Sequence, residues 1–208
     1  MSARDRILAR VRRAAHSQDN LRTGTPERLT PEQARPRDPV AQFAAQAEKV
    51  HATTSRIASM DDLPRALAEE LRNRNLPAAI RTGSDPAFER DWGGLEHSTG
   101  PGRVREPATL TRAEFAMAET GSLVFASGPE NPVTLNFLGE THFAVVNHND
   151  VKGGFEDLFA AWRARGLTPR TTNFVTGPSR SADIGQTLQL GAHGPVALHI
   201  FIVESGEG

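Results

Sequence analysis

Residues 196–203 of the chain have the sequence Val-Ala-Leu-His-Ile-Phe-Ile-Val. An almost continuous apolar run of this length is typical of a β-strand that is covered on both faces. Similar runs, each a predicted strand, occupy residues 76–81, 122–126, 142–147 and 171–176. Because such strands alternate with helices in α/β proteins, we predict an open, mostly parallel sheet flanked by helices. Ligand-binding loops are expected at the carboxyl ends of its strands.

Helices are predicted between these strands wherever apolar residues recur three and four positions apart. This pattern covers residues 39–53, 61–74, where Asp61 is the expected N-cap, and 151–165. A short strand is expected near residues 55–58. A short helix is expected over residues 85–92, and it should end at the following pair of glycines.

The N-terminal segment differs in composition from the rest of the chain. Residues 3–15 have the spacing of an amphipathic helix whose other face is rich in arginine, and residues 17–39 contain four prolines among polar residues. We therefore divide the chain into a helix with a proline-rich arm, 1–39, and an α/β domain, 40–208. No signal-peptide core and no apolar stretch of about 20 residues is present, so we expect a cytoplasmic protein without a membrane span.

Composition excludes several classes of function. Lys and Arg total 24 against 25 Asp and Glu, so the net charge of -1 gives no reason to expect a nucleic-acid partner. The chain has no cysteine. It therefore forms no disulfide and supplies no thiol nucleophile or cysteine-held iron-sulfur cluster.

A first candidate site is the segment Ala118-Glu119-Thr120-Gly121, directly before a predicted strand. We expect Glu119 to be half-buried or to face a cleft, where its carboxylate would accept a proton or orient a substrate hydroxyl. The alternative is that Glu119 and Thr120 only satisfy the amides of a loop.

A second candidate is Gly177-Pro178-Ser179-Arg180-Ser181-Ala182-Asp183-Ile184, directly after a predicted strand. A glycine turn followed by a helix start would present free backbone N–H groups to a carboxylate or phosphate, with further donors from Ser179, Ser181 and Arg180. The alternative is an ordinary helix start that Ser179 caps, with Asp183 paired to Arg180 or to local amides.

Two histidines complete the candidate residues. His193 lies in Gly191-Ala192-His193-Gly194-Pro195, where it is a possible general base or anion donor, and His142 opens another predicted strand. The alternative for both is a structural role. Their separations from Glu119 and Asp183 match no compact metal signature, so metal binding is disfavoured, as is a conventional nucleotide fold.

These three glycine-containing segments, in this order and spacing, resemble the LUD-domain proteins and, more narrowly, the LutC/YkgG family of lactate utilization proteins. The resemblance extends from about residue 40 to the C-terminus. It implies a fold like that of the NagB/RpiA/CoA-transferase group. One departure is Gly185, where the family usually has a glutamate.

The resemblance also implies a role in the oxidation of L-lactate to pyruvate, together with two partner proteins that carry iron-sulfur clusters. No cofactor is then expected in this chain, which would be an accessory subunit that binds a small carboxylate or phosphorylated ligand. The predicted catalytic residues are Glu119 and His193. The predicted ligand contacts are Thr120, Gly121, His142, Gly177, Pro178, Ser179, Arg180, Asp183 and Gly194.

Two other functions stay open at this stage. The isolated chain is a possible enzyme on a sugar phosphate or acyl-CoA with Glu119 as base or nucleophile, and whether it is an enzyme at all is left open. Alternatively, the basic N-terminal helix docks an acidic partner or a second copy of the chain.

Overall fold

The computed structural model describes residues 4–5, 7–9, 36–180, 182–184, 187–188 and 193–205. The chain divides into two compact units, Met1–Ala34 and Arg35–Gly208. In the first unit, Arg4, Asp5 and residues 7–9 are helical, and Ile7 is 64% exposed. The rest of the predicted N-terminal helix and most of the proline-rich arm lie outside the described residues.

The second unit alternates strands and helices along most of its length. Its helices are α1 (Pro39–Lys49), α2 (Leu63–Asn73), α3 (Val133–Phe137) and α4 (Phe155–Ala164). Its strands are β1 (Thr53–Ile57), β2 (Ala79–Thr82), β3 (Glu96–Thr99), β4 (Glu106–Arg112), β5 (Phe115–Met117), β6 (Ser122–Ala126), β7 (Gly139–Asn147), β8 (Val151–Lys152), β9 (Thr172–Val175), β10 (Ala182–Ile184), β11 (Thr187–Leu188) and β12 (Ala197–Val203).

The main sheet has six strands in the order β1-β12-β7-β4-β2-β3, and every neighbouring pair is parallel. Strand β12, the apolar run described first, lies between β1 and β7 and pairs with β7 from Ala197 opposite Thr141 to Val203 opposite Asn147. The predicted open parallel sheet is confirmed.

One face of the main sheet, the first face, is covered by α2. Leu63, Leu67 and Leu71 recur every fourth residue, so they project from one side of this helix onto Phe143 and Phe201. Phe88 and Trp92, from the segment after β2, join the same core.

The opposite or second face is covered by α1 and by a smaller sheet of order β8-β5-β6-β9. Phe43 and Ala47 of α1 pack there against Ala144 and Ile200 of the main sheet. The outer side of the small sheet is closed by α4, whose Leu158 is fully buried. The second unit is therefore layered. It consists of α2, the main sheet, the small sheet beside α1, and α4.

Two predicted helical segments are wrong. Residues 85–92 form only a short 3-10 turn, Pro86–Phe88, and the chain after Ser179 enters strand β10 rather than a helix. Strand β10 pairs antiparallel with β11, and only Gly185 and Gln186 separate them. Pairing of residues 182–184 with β11 takes the place of the predicted helix start.

Within the described part of the chain, no helix has the length and apolar character that crossing a bilayer requires.

Candidate functional site

The first predicted segment is the turn between β5 and β6. Gly121 has a φ of +70°, and its N–H donates to the carbonyl of Met117 at 2.9 Å. A Cβ atom at Gly121 would lie 2.4 Å from the backbone nitrogen of Ala47 in α1. A glycine is required here because the turn both adopts a left-handed conformation and packs directly on the helix backbone.

The second predicted segment approaches the same helix. Gly177 has a φ of +71°, and a Cβ atom there would lie 2.2 Å from the carbonyl oxygen of Val50, the C-cap of α1. The two glycines therefore bring separate turns against the C-terminal half of one helix.

A row of three hydroxyl groups joins these turns. The Oγ of Ser122 lies 2.6 Å from the Oγ1 of Thr120 and 2.6 Å from the Oγ1 of Thr176. Ser122 is buried, whereas Thr120 is half-buried and Thr176 is exposed. The row links the first segment to the residue directly before Gly177.

The third segment contacts the second. The backbone N–H of Ser179 donates to the carbonyl of Pro195 at 2.8 Å, and a Cβ at Gly194 would lie 3.5 Å from the Cβ of Ser179. Arg180 directly follows Ser179 and His193 directly precedes Gly194. Both side chains are exposed. We call the surface formed by Thr120, Gly121, Thr176, Gly177, Ser179, Arg180, His193 and Gly194 the motif cluster.

Glu119 lies in the same turn but is exposed rather than half-buried. Its backbone N–H donates to Gly153 at 3.1 Å, and its Oε2 lies 3.1 Å from the position of a Cβ at Gly154, the N-cap of α4. A carboxylate beside a helix N-terminus is a favourable arrangement of charge. The expected half-burial of Glu119 is therefore not found, and its catalytic role stays a prediction.

His142 is a core residue, which corrects its assignment as a ligand contact. It is fully buried between the two sheets, with its ring 5.5 Å from that of Phe125. Its Nε2 lies 2.7 Å from the hydroxyl of Thr111, which itself donates to Asn136 Oδ1 at 3.0 Å. Burial lowers the pKa of His142 to about 3, so the ring is neutral and inaccessible.

The remaining predicted contacts differ in how they are placed. Pro178 is buried. Asp183 lies on strand β10 instead of in a helical turn, while Ser181, Gly185, Gly191 and Ala192 lie outside the described residues. Among the residues that are described, no three His, Asp or Glu side chains come together as a metal site would require.

The sequence predictions did not include a cavity of about 310 Å³ at the carboxyl ends of β4, β7 and β12. Arg112, Asn147 and Val203, the last residues of these strands, line it, and no residue of the motif cluster does. The general position of ligand sites in parallel sheets was the signal that pointed here. Arg112 was missed because β4 itself was not predicted.

Comparison with known proteins supplies the family. Residues 107–203, from the start of β4 to the end of β12, match the family model of the LUD domain, and all three motif segments lie within this range. The chain is thus similar to the LUD-domain family over this range, which is just under half of its length. The resemblance drawn from the motifs is thereby confirmed.

The curated relatives of the chain include several proteins named lactate utilization protein C. The protein from Geobacillus kaustophilus is 34% identical over 95 residues, which cover 44% of this chain and 40% of that protein. The protein from Halalkalibacterium halodurans is 26% identical over 185 residues, covering 78% and 77% respectively. The alignment with the Geobacillus relative thus spans about two fifths of that protein's length.

A crystal structure of a DUF162 family protein from Deinococcus radiodurans has the same fold. It superimposes with a TM-score of 0.60 at 21% identity, and the match covers 79% of this chain and 96% of the crystallised chain.

Proposed function

We propose that this LUD-domain chain is a non-redox subunit of a lactate-utilization system and that it binds a small carboxylate or phosphorylated anion at the motif cluster. The names of its relatives support the metabolic role. The observation that supports the binding role is the convergence of three segments, through the hydroxyl row and the Ser179–Pro195 hydrogen bond.

The motif cluster contains the donors that an anion requires. Hydroxyl groups come from Thr120, Thr176 and Ser179, a permanent positive charge comes from Arg180, and His193 adds a ring nitrogen. Hydrogen bonds from such groups to a carboxylate are strongest where the donor is charged, so Arg180 is expected to contribute most.

The proposed division of labour rests on what the family resemblance implies, and the composition agrees with it. Oxidation of lactate to pyruvate releases two electrons, and a chain without cysteine holds no cysteine-ligated iron-sulfur cluster to accept them. We propose, as the family resemblance implies, that iron-sulfur partner proteins take the electrons while this chain binds the organic anion.

Titration calorimetry with L-lactate, pyruvate and glycerol 3-phosphate tests the binding role. Replacing Arg180 by Ala should weaken binding roughly ten- to hundredfold, equivalent to about 1.5–3 kcal/mol. Arg170→Ala is the matched control, because Arg170 is also exposed but lies outside the motif cluster. Equal affinities for the wild type and Arg180→Ala would remove this arginine from the site.

A second candidate function is that of an enzyme acting alone on a sugar phosphate or acyl thioester. One observation supports it. The Glu119 side chain is accessible and forms no ion pair within the described residues. Turnover by the purified chain without partners, abolished by Glu119→Gln, would favour this enzyme. Persistent inertness of the purified chain would favour the accessory subunit.

A further inference from the structure

Helix α4 has one face that the rest of the described chain leaves exposed. Its inner side packs on the small sheet through Leu158, which is fully buried, and Trp162, which is half-buried. Its outer side carries exposed residues in neighbouring pairs that recur every four positions, so they form one stripe along the helix. These residues are Phe155, Glu156, Phe159, Ala160, Arg163 and Ala164.

Three phenylalanines form the apolar part of this surface. The rings of Phe155 and Phe159 stack with their centres 6.1 Å apart, and the ring of Phe155 lies 6.0 Å from that of Phe174 on strand β9. Phe155, Phe159 and Phe174 are 42%, 44% and 41% exposed, and no other Phe or Trp among the described residues is exposed. Aromatic side chains are enriched in protein interfaces, so a contiguous group of exposed rings indicates one.

Two opposite charges lie on the same stripe, one near each end of the helix. Glu156 lies in the first turn of α4 and Arg163 in the last. Seven positions separate them, which is about 10 Å along the helix axis, so they do not pair with each other. Neither forms an ion pair with any other of the residues that the structure describes. Both charges are therefore available to a partner.

The order of these residues is complementary to its own reverse. In two antiparallel copies of α4 with a two-fold axis beside Phe159 and Ala160, Glu156 of each copy lies opposite Arg163 of the other. The Phe159 rings of the two copies then meet on one side of the axis, and the small Ala160 side chains meet on the other. A parallel pair would place Glu156 opposite Glu156 and Arg163 opposite Arg163, which is unfavourable. The charges therefore select a second copy in the antiparallel orientation.

We propose that the exposed face of α4, extended by Phe174, is the interface of a two-fold symmetric dimer of this chain. Burial of the three phenylalanines drives association. The reciprocal pairs of Glu156 with Arg163 set the orientation, since exposed ion pairs contribute little free energy of their own. A ten-residue helix is only about 15 Å long, so the interface is small and the dimer dissociates on dilution.

Sedimentation velocity of the full chain over a concentration series, at low ionic strength, tests this interface. The wild type should pass from monomer to dimer as its concentration rises. Glu156→Arg and Arg163→Glu should each weaken dimerisation at least tenfold, because each places like charges opposite each other at both pairs. An equal mixture of the two variants should dimerise again, since the basic helix face of the first then meets the acidic face of the second.

The mixture separates a loss of contact from a loss of fold, because an unfolded chain is not rescued by mixing. Phe159→Ala removes apolar surface without changing charge and should also weaken the dimer. Arg72→Glu is the matched control and should dimerise like the wild type, since Arg72 is an exposed arginine in the last turn of α2, on the first face of the main sheet.

Three results would overturn the proposal. The first is a wild-type chain that stays monomeric up to about 1 mM, the weakest range in which a specific dimer is expected. The second is a dimer that Glu156→Arg and Arg163→Glu leave intact, which would place the interface elsewhere on the chain. The third is an equal mixture of these two variants that stays monomeric.

Discussion

Gly121 and Gly177 are the two residues through which the motif turns contact the backbone of α1. Each has a positive φ, and at each the nearest helix atom is closer than any Cβ tolerates. Other glycines of the chain, such as Gly128, face open space. Among the described glycines with a positive φ, only these two would place a Cβ within 3.0 Å of another atom.

We predict that Gly121→Ala destabilises the fold strongly. The left-handed conformation alone costs an L-residue about 1–2 kcal/mol, and the contact with the Ala47 nitrogen adds to it, so the free energy of unfolding should fall by at least ~2 kcal/mol. Urea denaturation measures the change. Gly128→Ala is the control and should stay within about 0.5 kcal/mol of the wild type. Similar losses in both variants would contradict the assigned contact.

Sequence reasoning identified motif residues better than it identified their surroundings. The order of the glycines, the serine and the arginine, which is like that of the family, can be read directly from the sequence. The structure brings Thr120, Ser179 and Gly194 into connected turns. Whether His142 faces solvent depends on the second sheet, whose Phe125 covers it. That covering is a tertiary property which the local sequence does not contain.

At the scale of single elements, apolar runs were the reliable signal. Strand β6 has the predicted bounds, and α2 lies within its predicted segment. Strand β4 was missed because it is rich in polar residues. Thr109 and Thr111 are buried there because their hydroxyls donate to Leu135 and Asn136, about 25 positions away. Partners so distant along the chain cannot be inferred from a local pattern.

Helix α1 depends on a cap that lies in the predicted arm. The side chain of Asp38 accepts a hydrogen bond from the Ala41 N–H at 2.9 Å. We predict that Asp38→Ala lowers the free energy of unfolding by about 1 kcal/mol, whereas Asp38→Asn, which keeps an acceptor, should resemble the wild type. Thermal unfolding followed by circular dichroism measures both. If the alanine and asparagine variants melted together, the cap would not contribute.

At the scale of the whole molecule, the class of the fold was predictable and the order of its strands was not. Strand β12, at the end of the chain, is inserted between β1 and β7. This choice depends on which apolar surfaces of two sheets fit together, as where Ile200 meets Phe43 and Ala47. Alternation of apolar runs predicts that such layers exist, but it does not specify which strand lies beside which.

Two buried histidines on opposite faces of the main sheet make the stability of the fold depend on pH. Burial lowers the pKa of His142 to about 3. Burial also lowers the pKa of His199 to about 4, where the charge of Glu70 opposes it and that of Arg74 adds to it. Both values lie below the ~6.5 of an unfolded chain, so stability is full above pH 6.5 and falls as the pH drops towards these folded-state values. Each histidine contributes a slope on the order of 1 kcal/mol per pH unit.

We predict that His142→Leu flattens this dependence. Urea unfolding at pH values between 5 and 6.5 should show a smaller decrease per pH unit than in the wild type, whatever the absolute stability of the variant. The half-buried His148, replaced by Gln, is the control. A wild-type slope in His142→Leu would show that this histidine is not the group that titrates.

The row Thr120–Ser122–Thr176 has a property that none of its members has alone. Each hydroxyl group has one proton to donate and can also accept hydrogen bonds. When Ser122 donates to one threonine, it can accept from the other, so the hydrogen bonds of the row can run in either of two directions. An anion bound at Thr120 would accept the hydroxyl proton of Thr120. Ser122 would then donate to Thr120, and Thr176 would donate to Ser122. Binding of the anion at the first turn would thereby change the direction of the hydrogen bonds at the second turn, without any movement of the backbone.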